Sequence, residues 1–164
     1  MRVYLTFDIE IWCDGWSDLD RKFPKAFERY VYGRSRHGDY ALPKTLDILG
    51  RHGLSGVFFV EPLFSTRFGR EHLATIVSLI QARGQSVQLH LHPEWCDEVQ
   101  PPLIAGLNAK QPNLSGLTPG QQASLIQQGL ALLAEAGAQP IHAFRAGSYA
   151  ANADTLAALA HAGL

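Results

Sequence analysis

Residues 82–95 read ARGQSVQLHLHPEW. Behind Gly84, apolar residues recur at Leu73, Ile76, Val77 and Ile80, the spacing of a helix over 68–83. Beyond it, Val87, Leu89 and Leu91 alternate with Gln88, His90 and His92, the period-two pattern of a strand over 86–92. Pro93 ends that strand. Helix, glycine, short connector, strand is the unit of a parallel α/β fold, because parallel strands need a crossover between them.

Outward from this stretch the unit repeats. RHGLSGVFFV, 51–60, closes a helix over 43–51 and opens an apolar, buried strand over 56–60. EAGAQPIHAF, 135–144, closes a helix and leads to a strand over 141–145. The helix before it opens at Thr118-Pro119-Gly120-Gln121, a capping box with Pro at the first helical position, and runs to 136. A first strand is expected over 3–7, and a last helix over 153–162 capped by Asn152. Two stretches, 14–40 and 93–117, read as long loops. The final AHAGL, 160–164, ends where another strand would begin. The expectation is therefore one α/β domain over 1–164, the N-terminal part of a longer one and truncated at its C-terminal end; a complete four-stranded doubly wound sheet is the alternative.

Composition narrows the function classes. The chain has 164 residues, 46% apolar and 18% charged, with a net charge of −1. No basic block supports a nucleic-acid surface. No apolar run approaches the ~20 residues of a membrane span. The N-terminal MRVYLTFDIE has no secretory pattern, so the expected location is cytoplasmic. Cys13 and Cys96 form no CxxC pair and are read as free thiols.

Ligands of parallel α/β folds bind at the carboxyl ends of strands. Tyr4, Thr6, Asp8 and Glu10 share one face of the first strand, His90 and His92 one face of the third, and Arg145 ends the fourth. Two imidazoles and a carboxylate suit Zn²⁺ or another first-row divalent ion with coordination positions left for water. A second carboxylate divides the labour, one as ligand and one as base. Arg145, on reaching Asp8, would keep it ionised and oriented. The histidines at 37, 52, 72, 142 and 161 are background, with His52, His72 and His161 solvated.

In order, these pieces resemble the motifs of the polysaccharide deacetylase family, the nodulation-deacetylase-like carbohydrate esterases. Thr6-Phe7-Asp8-Ile9-Glu10 matches that family's T-F-D-D-G, His90-Leu91-His92-Pro93-Glu94-Trp95 its H-S/T-x-x-H, and Arg145-Ala146-Gly147-Ser148-Tyr149 its R-x-x-P-Y. The resemblance implies a distorted, incomplete (β/α) barrel with parallel strands. It implies Asp8 as general base and Glu10, His90 and His92 as metal ligands. Arg145 would orient the base, and the Tyr149 backbone N–H would help hold the oxyanion. The cofactor would be Zn²⁺, or Co²⁺, Mn²⁺ or Ni²⁺. The partner would be an N-acetylated sugar or related small molecule, with no nucleic acid and no membrane. The family's general acid would lie beyond Leu164.

The departures are specific. Glu10 replaces an adjacent Asp, and the histidines stand at i, i+2 instead of i, i+4. Glu94 and Cys96 are thus alternative ligands, although strand geometry favours the His pair. The implied activity is metal-dependent removal of an N-acetyl group from a sugar or polysaccharide precursor. Its rivals are hydrolysis of another C–N bond in a small metabolite and a non-catalytic carbohydrate-binding relic. Trp12, Trp16, Tyr30, Tyr32 and Trp95 would form sugar-facing walls, against a bland reading as loop packing.

Overall fold

Alternation of apolar and polar residues makes LTFDI a strand, β1 (Leu5–Ile9), with Leu5, Phe7 and Ile9 on the covered side. The structure, a computed structural model, describes residues 1–107 and 109–164. Helix α1 (Leu19–Phe27) follows and continues into a π-helical segment, Glu28–Tyr32. A small antiparallel hairpin pairs β2 (Arg34–Ser35) with β3 (Gly38–Asp39). Then come α2 (Leu42–Arg51), β4 (Gly56–Val60), α3 (Ser65–Phe68), α4 (Arg70–Gln81) and β5 (Ser86–Leu91). Helix α5 (Pro119–Glu135), strand β6 (Phe144–Ala146) and helix α6 (Ala153–His161) complete the chain.

Strands β1, β4, β5 and β6 form one parallel sheet in that order, curled into a half-barrel with helices alternating between them. The register sets what each face carries. Phe7 pairs with Phe58 and Phe58 with Val87, all on the helix side. Asp8 pairs with Phe59 and Phe59 with Gln88 on the inner side, and His90 pairs with Arg145. The core lies between sheet and helices. Phe58, Val60, Leu89 and Leu91 are fully buried against Leu73, Ile76 and Ile80 of α4 and Leu125 and Ile126 of α5. Each such side chain contributes roughly 1.5–3 kcal/mol by leaving water. Gly129 lets α5 sit close on β5: a Cβ there would stand 2.8 Å from Leu91 Cδ2 and 2.9 Å from Leu89 Cδ1.

Several expectations need correction. The stretch 14–40 is not a loop: Leu19, Phe23, Ala26 and Phe27 are buried at helical spacing, and the Phe23 ring stacks on Phe68 at 3.8 Å. The expected helix over 68–83 is two helices, separated at Gly69, whose φ of +108° no helix accommodates. Strand β1 begins and ends two residues later than expected, and β6 is shorter. The capping box at Thr118 and Gln121 forms, as does the Asn152 cap. Within 93–117 two single turns occur, Pro93–Trp95 and Leu114–Gly116, and residue 108 of that stretch lies outside the described residues. Among the described residues no helix is long and apolar enough to cross a membrane.

Candidate metal centre

β1 and β5 run parallel on either side of β4 and release their polar side chains at the same end of the sheet. Glu10 follows β1 directly; His90 lies within β5 and His92 just beyond it. The three ligand-bearing groups meet, with their ligand atoms all within 4.8 Å of one another. Glu10 Oε2 stands 2.7 Å from His92 Nε2 and 3.4 Å from His90 Nε2, and the two Nε2 atoms are 3.2 Å apart. His90 and His92 are buried, at 3% and 7% exposure, while the Glu10 side chain keeps 30%. This is a candidate metal-binding His2Glu group in an α/β half-barrel.

What stands behind each imidazole fixes what it presents. His90 Nδ1 is 2.8 Å from the Arg145 carbonyl oxygen, which only accepts, so Nδ1 carries the hydrogen and Nε2 offers its lone pair. His92 Nδ1 faces the Glu94 carboxylate at 3.3 Å, with the same consequence. Two lone pairs and a carboxylate oxygen then confront one another. Glu10 Oε2 is buried and receives no well-aligned N–H. Such a cluster requires a positive charge between its members, either a proton on His92 or a metal ion. Atoms ~2.0–2.2 Å from a tetrahedral ion stand roughly 3.3–3.6 Å apart. Two of the three separations are close to that range, and the partly exposed Glu10 is free to back away from His92. The residues present therefore fit a divalent cation.

The electrostatics agree. Burial pushes the Glu10 carboxyl up, but the ring nitrogens of His90 and His92 and the indole of Trp12 outweigh it, holding Glu10 well below the usual carboxylate range. Burial pushes His92 down, but Glu10 and Glu94 outweigh it and raise the imidazole to about 10. The site is thus built to hold positive charge.

Gly147, within the Arg145–Tyr149 stretch, makes this packing feasible. A Cβ at that position would stand 2.7 Å from the His92 Cε1, the His92 Nδ1 and the Leu91 carbonyl oxygen. Ser148 and Tyr149 then take left-handed backbone, with φ of +54° and +53°, a conformation that costs non-glycine residues energy. The Tyr149 side chain is 86% exposed.

Arg145 ties the rest together. Its guanidinium donates to Asp8 Oδ1 at 2.5 Å and Thr6 Oγ1 at 2.8 Å, and lies 4.2 Å above the Phe59 ring. Asp8 is two residues before Glu10 on the same strand face, so the ion pair sits beside the metal group. One arginine holds the Asp8 carboxylate with its side chain and the His90 ring with its carbonyl.

The alternative ligands have other places. Glu94 supports His92 from behind, and Cys96 is fully buried, its thiol pushed up to about 12 by burial first and then by nearby acids. Cys13 and Cys96 are free thiols. Trp12 stands edge-on to His92 at 4.8 Å, half-buried, within reach of a bound molecule. Trp95 is 1% exposed and belongs to the core, so it forms no wall, and Tyr30 and Tyr32 pack against that core as well. His72 is only partly solvated: its side chain is 33% exposed, and its ring packs 4.9 Å from Phe23 and 4.7 Å from Phe27.

Sequence reasoning passed over Glu61. It follows β4 directly, is 0% exposed, and accepts N–H groups from Leu63 (2.8 Å) and Phe64 (3.2 Å). Burial pushes its carboxyl up to about 8, against the two N–H groups and His92. The signal was present: an acid at the carboxyl end of an otherwise apolar strand. No protein-family model matches this chain, and no curated protein sequence matches it.

Proposed function

We propose that this protein is a metal-dependent hydrolase that removes an N-acetyl group from a sugar or polysaccharide precursor, as its resemblance to the polysaccharide deacetylases implies. The observation that carries the reading is the convergence of Glu10, His90 and His92 beside an Arg145–Asp8 ion pair. A structural zinc site closes all four positions, commonly with thiolates; two imidazoles and one carboxylate leave room for water and substrate. Zn²⁺ is the proposed ion, held by Glu10 and the two Nε2 atoms. When bound, it supplies a Lewis acid and lowers the pKa of its water to ~7.

The chain's own residues do the rest. Arg145 holds Asp8 in place through its guanidinium, and Asp8 takes the proton from the attacking water. The Tyr149 backbone N–H, in the left-handed turn at Ser148 and Tyr149, would donate to the developing oxyanion, a contribution of ~3 kcal/mol for a well-placed donor. Trp12 offers an aromatic face to the sugar ring.

The test is acetate release from a panel of N-acetylated sugars with added Zn²⁺, Co²⁺, Mn²⁺ or Ni²⁺. Asp8→Asn should bind metal as wild type does and lose ~10²–10⁴ in turnover. Retained turnover in that variant would remove Asp8 from the mechanism. Stoichiometric metal binding without acetate from any sugar would point to a different C–N bond.

A further inference from the structure

A cavity shares one residue, Trp12, with the surroundings of the candidate metal group. It measures about 120 Å³ and is lined by Trp12, Cys13, Asp14, Lys22, Lys25 and Arg29 among others. Trp12, one of the lining residues, also places its ring 4.8 Å from that of His92. Lys22, Lys25 and Arg29 are spaced i, i+3, i+7, so α1 and its π-helical extension bring them to one face. Three cations thus surround the cavity against one carboxylate, Asp14, in a chain whose net charge is −1.

These cations are poorly neutralised. Lys22 spends its ammonium on neutral oxygens, the Asp14 carbonyl at 3.1 Å and the Ser17 hydroxyl at 3.5 Å. Among the described residues Lys25 forms no ion pair. Arg29 meets Asp14 at 3.5 Å, with both side chains mostly exposed, a pairing that contributes little. Like charges brought to one small concavity repel unless something negative joins them. The cavity is small, about 120 Å³, and open to solvent, enough to admit a phosphoryl or carboxylate group.

We propose that this cavity binds an oxyanion, a phosphoryl or carboxylate group carried by the molecule on which the metal centre acts. Trp12 then lies between two subsites, with the reacting amide on the His92 side and the anion on the Lys25 side. Assigning the anion to the substrate rests on the deacetylase reading; binding of the anion does not.

The experiment is calorimetric titration of the chelated protein, so that no oxyanion coordinates a metal. The probes are glucose, glucose 6-phosphate and glucuronate, none of which has an acetamide. Wild type should bind at least one anionic sugar about tenfold or more tighter than glucose, as charge-assisted hydrogen bonds require, and less tightly as salt rises. The two anionic probes separate a phosphoryl from a carboxylate preference. The double variant Lys22→Gln, Lys25→Gln should lose the difference, while Lys44→Gln, a half-buried lysine on α2 outside this cavity, should keep it. Equal binding of all three sugars, or an undiminished preference in the double variant, overturns the proposal. If the preference is absent while acetate release persists, the deacetylase reading survives without this subsite. If the preference is present but no N-acetyl sugar is cleaved, the anion site stands and that reading falls.

Discussion

Gly147 has no side chain, and that is its role. The His92 ring and the Leu91 carbonyl occupy the space where a Cβ would sit. The carbonyl belongs to β5 and is fixed by the sheet, so an added methyl must displace either the turn or the imidazole. Gly147→Ala should therefore weaken metal affinity by ~10–100-fold, the usual cost of disturbing what orients a ligand, while the fold persists. Competition against a zinc-chelating dye reads this; wild-type affinity in the variant would show that His92 is not held by that contact. The candidate metal-binding group was legible because a strand's period of two forces i, i+2 residues to one side, and Asp8, Glu10, His90 and His92 all obey it. Glu61 left a local signal, an acid closing an apolar strand, that was passed over. Gly147 left none: its importance comes from what another strand places beside it, and no local pattern records that.

At the scale of elements, the sheet order and the α5–β5 contact decide where the site lies. A glycine in a helix interior ordinarily costs ~0.5–1 kcal/mol relative to alanine, so replacing Gly129 would stabilise an isolated helix. Here Leu89 and Leu91, both 0% exposed, block the space. Overpacking typically costs 1–3 kcal/mol, which exceeds the propensity gain. Gly129→Val should thus lower stability in urea denaturation by about 1–2 kcal/mol; a gain would mean that α5 is not seated on β5 as described. The same contest between local and tertiary forces explains which elements could be read. The GVFFV strand and the Thr118 capping box carry strong local signals and were found. Helix α1 was missed because Pro24 lies inside it and its aromatic and charged residues obscure the buried stripe of Leu19, Phe23, Ala26 and Phe27. The break at Gly69 was missed because apolar spacing runs through it.

For the whole molecule, Glu61 links the site to stability. Its folded pKa, raised to about 8, lies above the unfolded value of ~4.3. The folded state then binds the proton more tightly than the unfolded chain, and stability falls as pH rises between those values. The contribution is fully present below ~4.3 and gone once pH passes about 8. Glu61→Gln should flatten this slope in the chelated protein, measured by urea unfolding at several pH values; equal slopes in both proteins would place the ionised carboxylate at no disadvantage in the fold. The central claim concerns the whole half-barrel, whose strands must bring three ligands to one ion. Anomalous diffraction at the zinc edge from a zinc-soaked crystal tests it most directly. One peak bonded at ~2.0–2.2 Å to Glu10 Oε2, His90 Nε2 and His92 Nε2 is the predicted result. No peak there, or a peak held instead by Glu94 or Cys96, would contradict it.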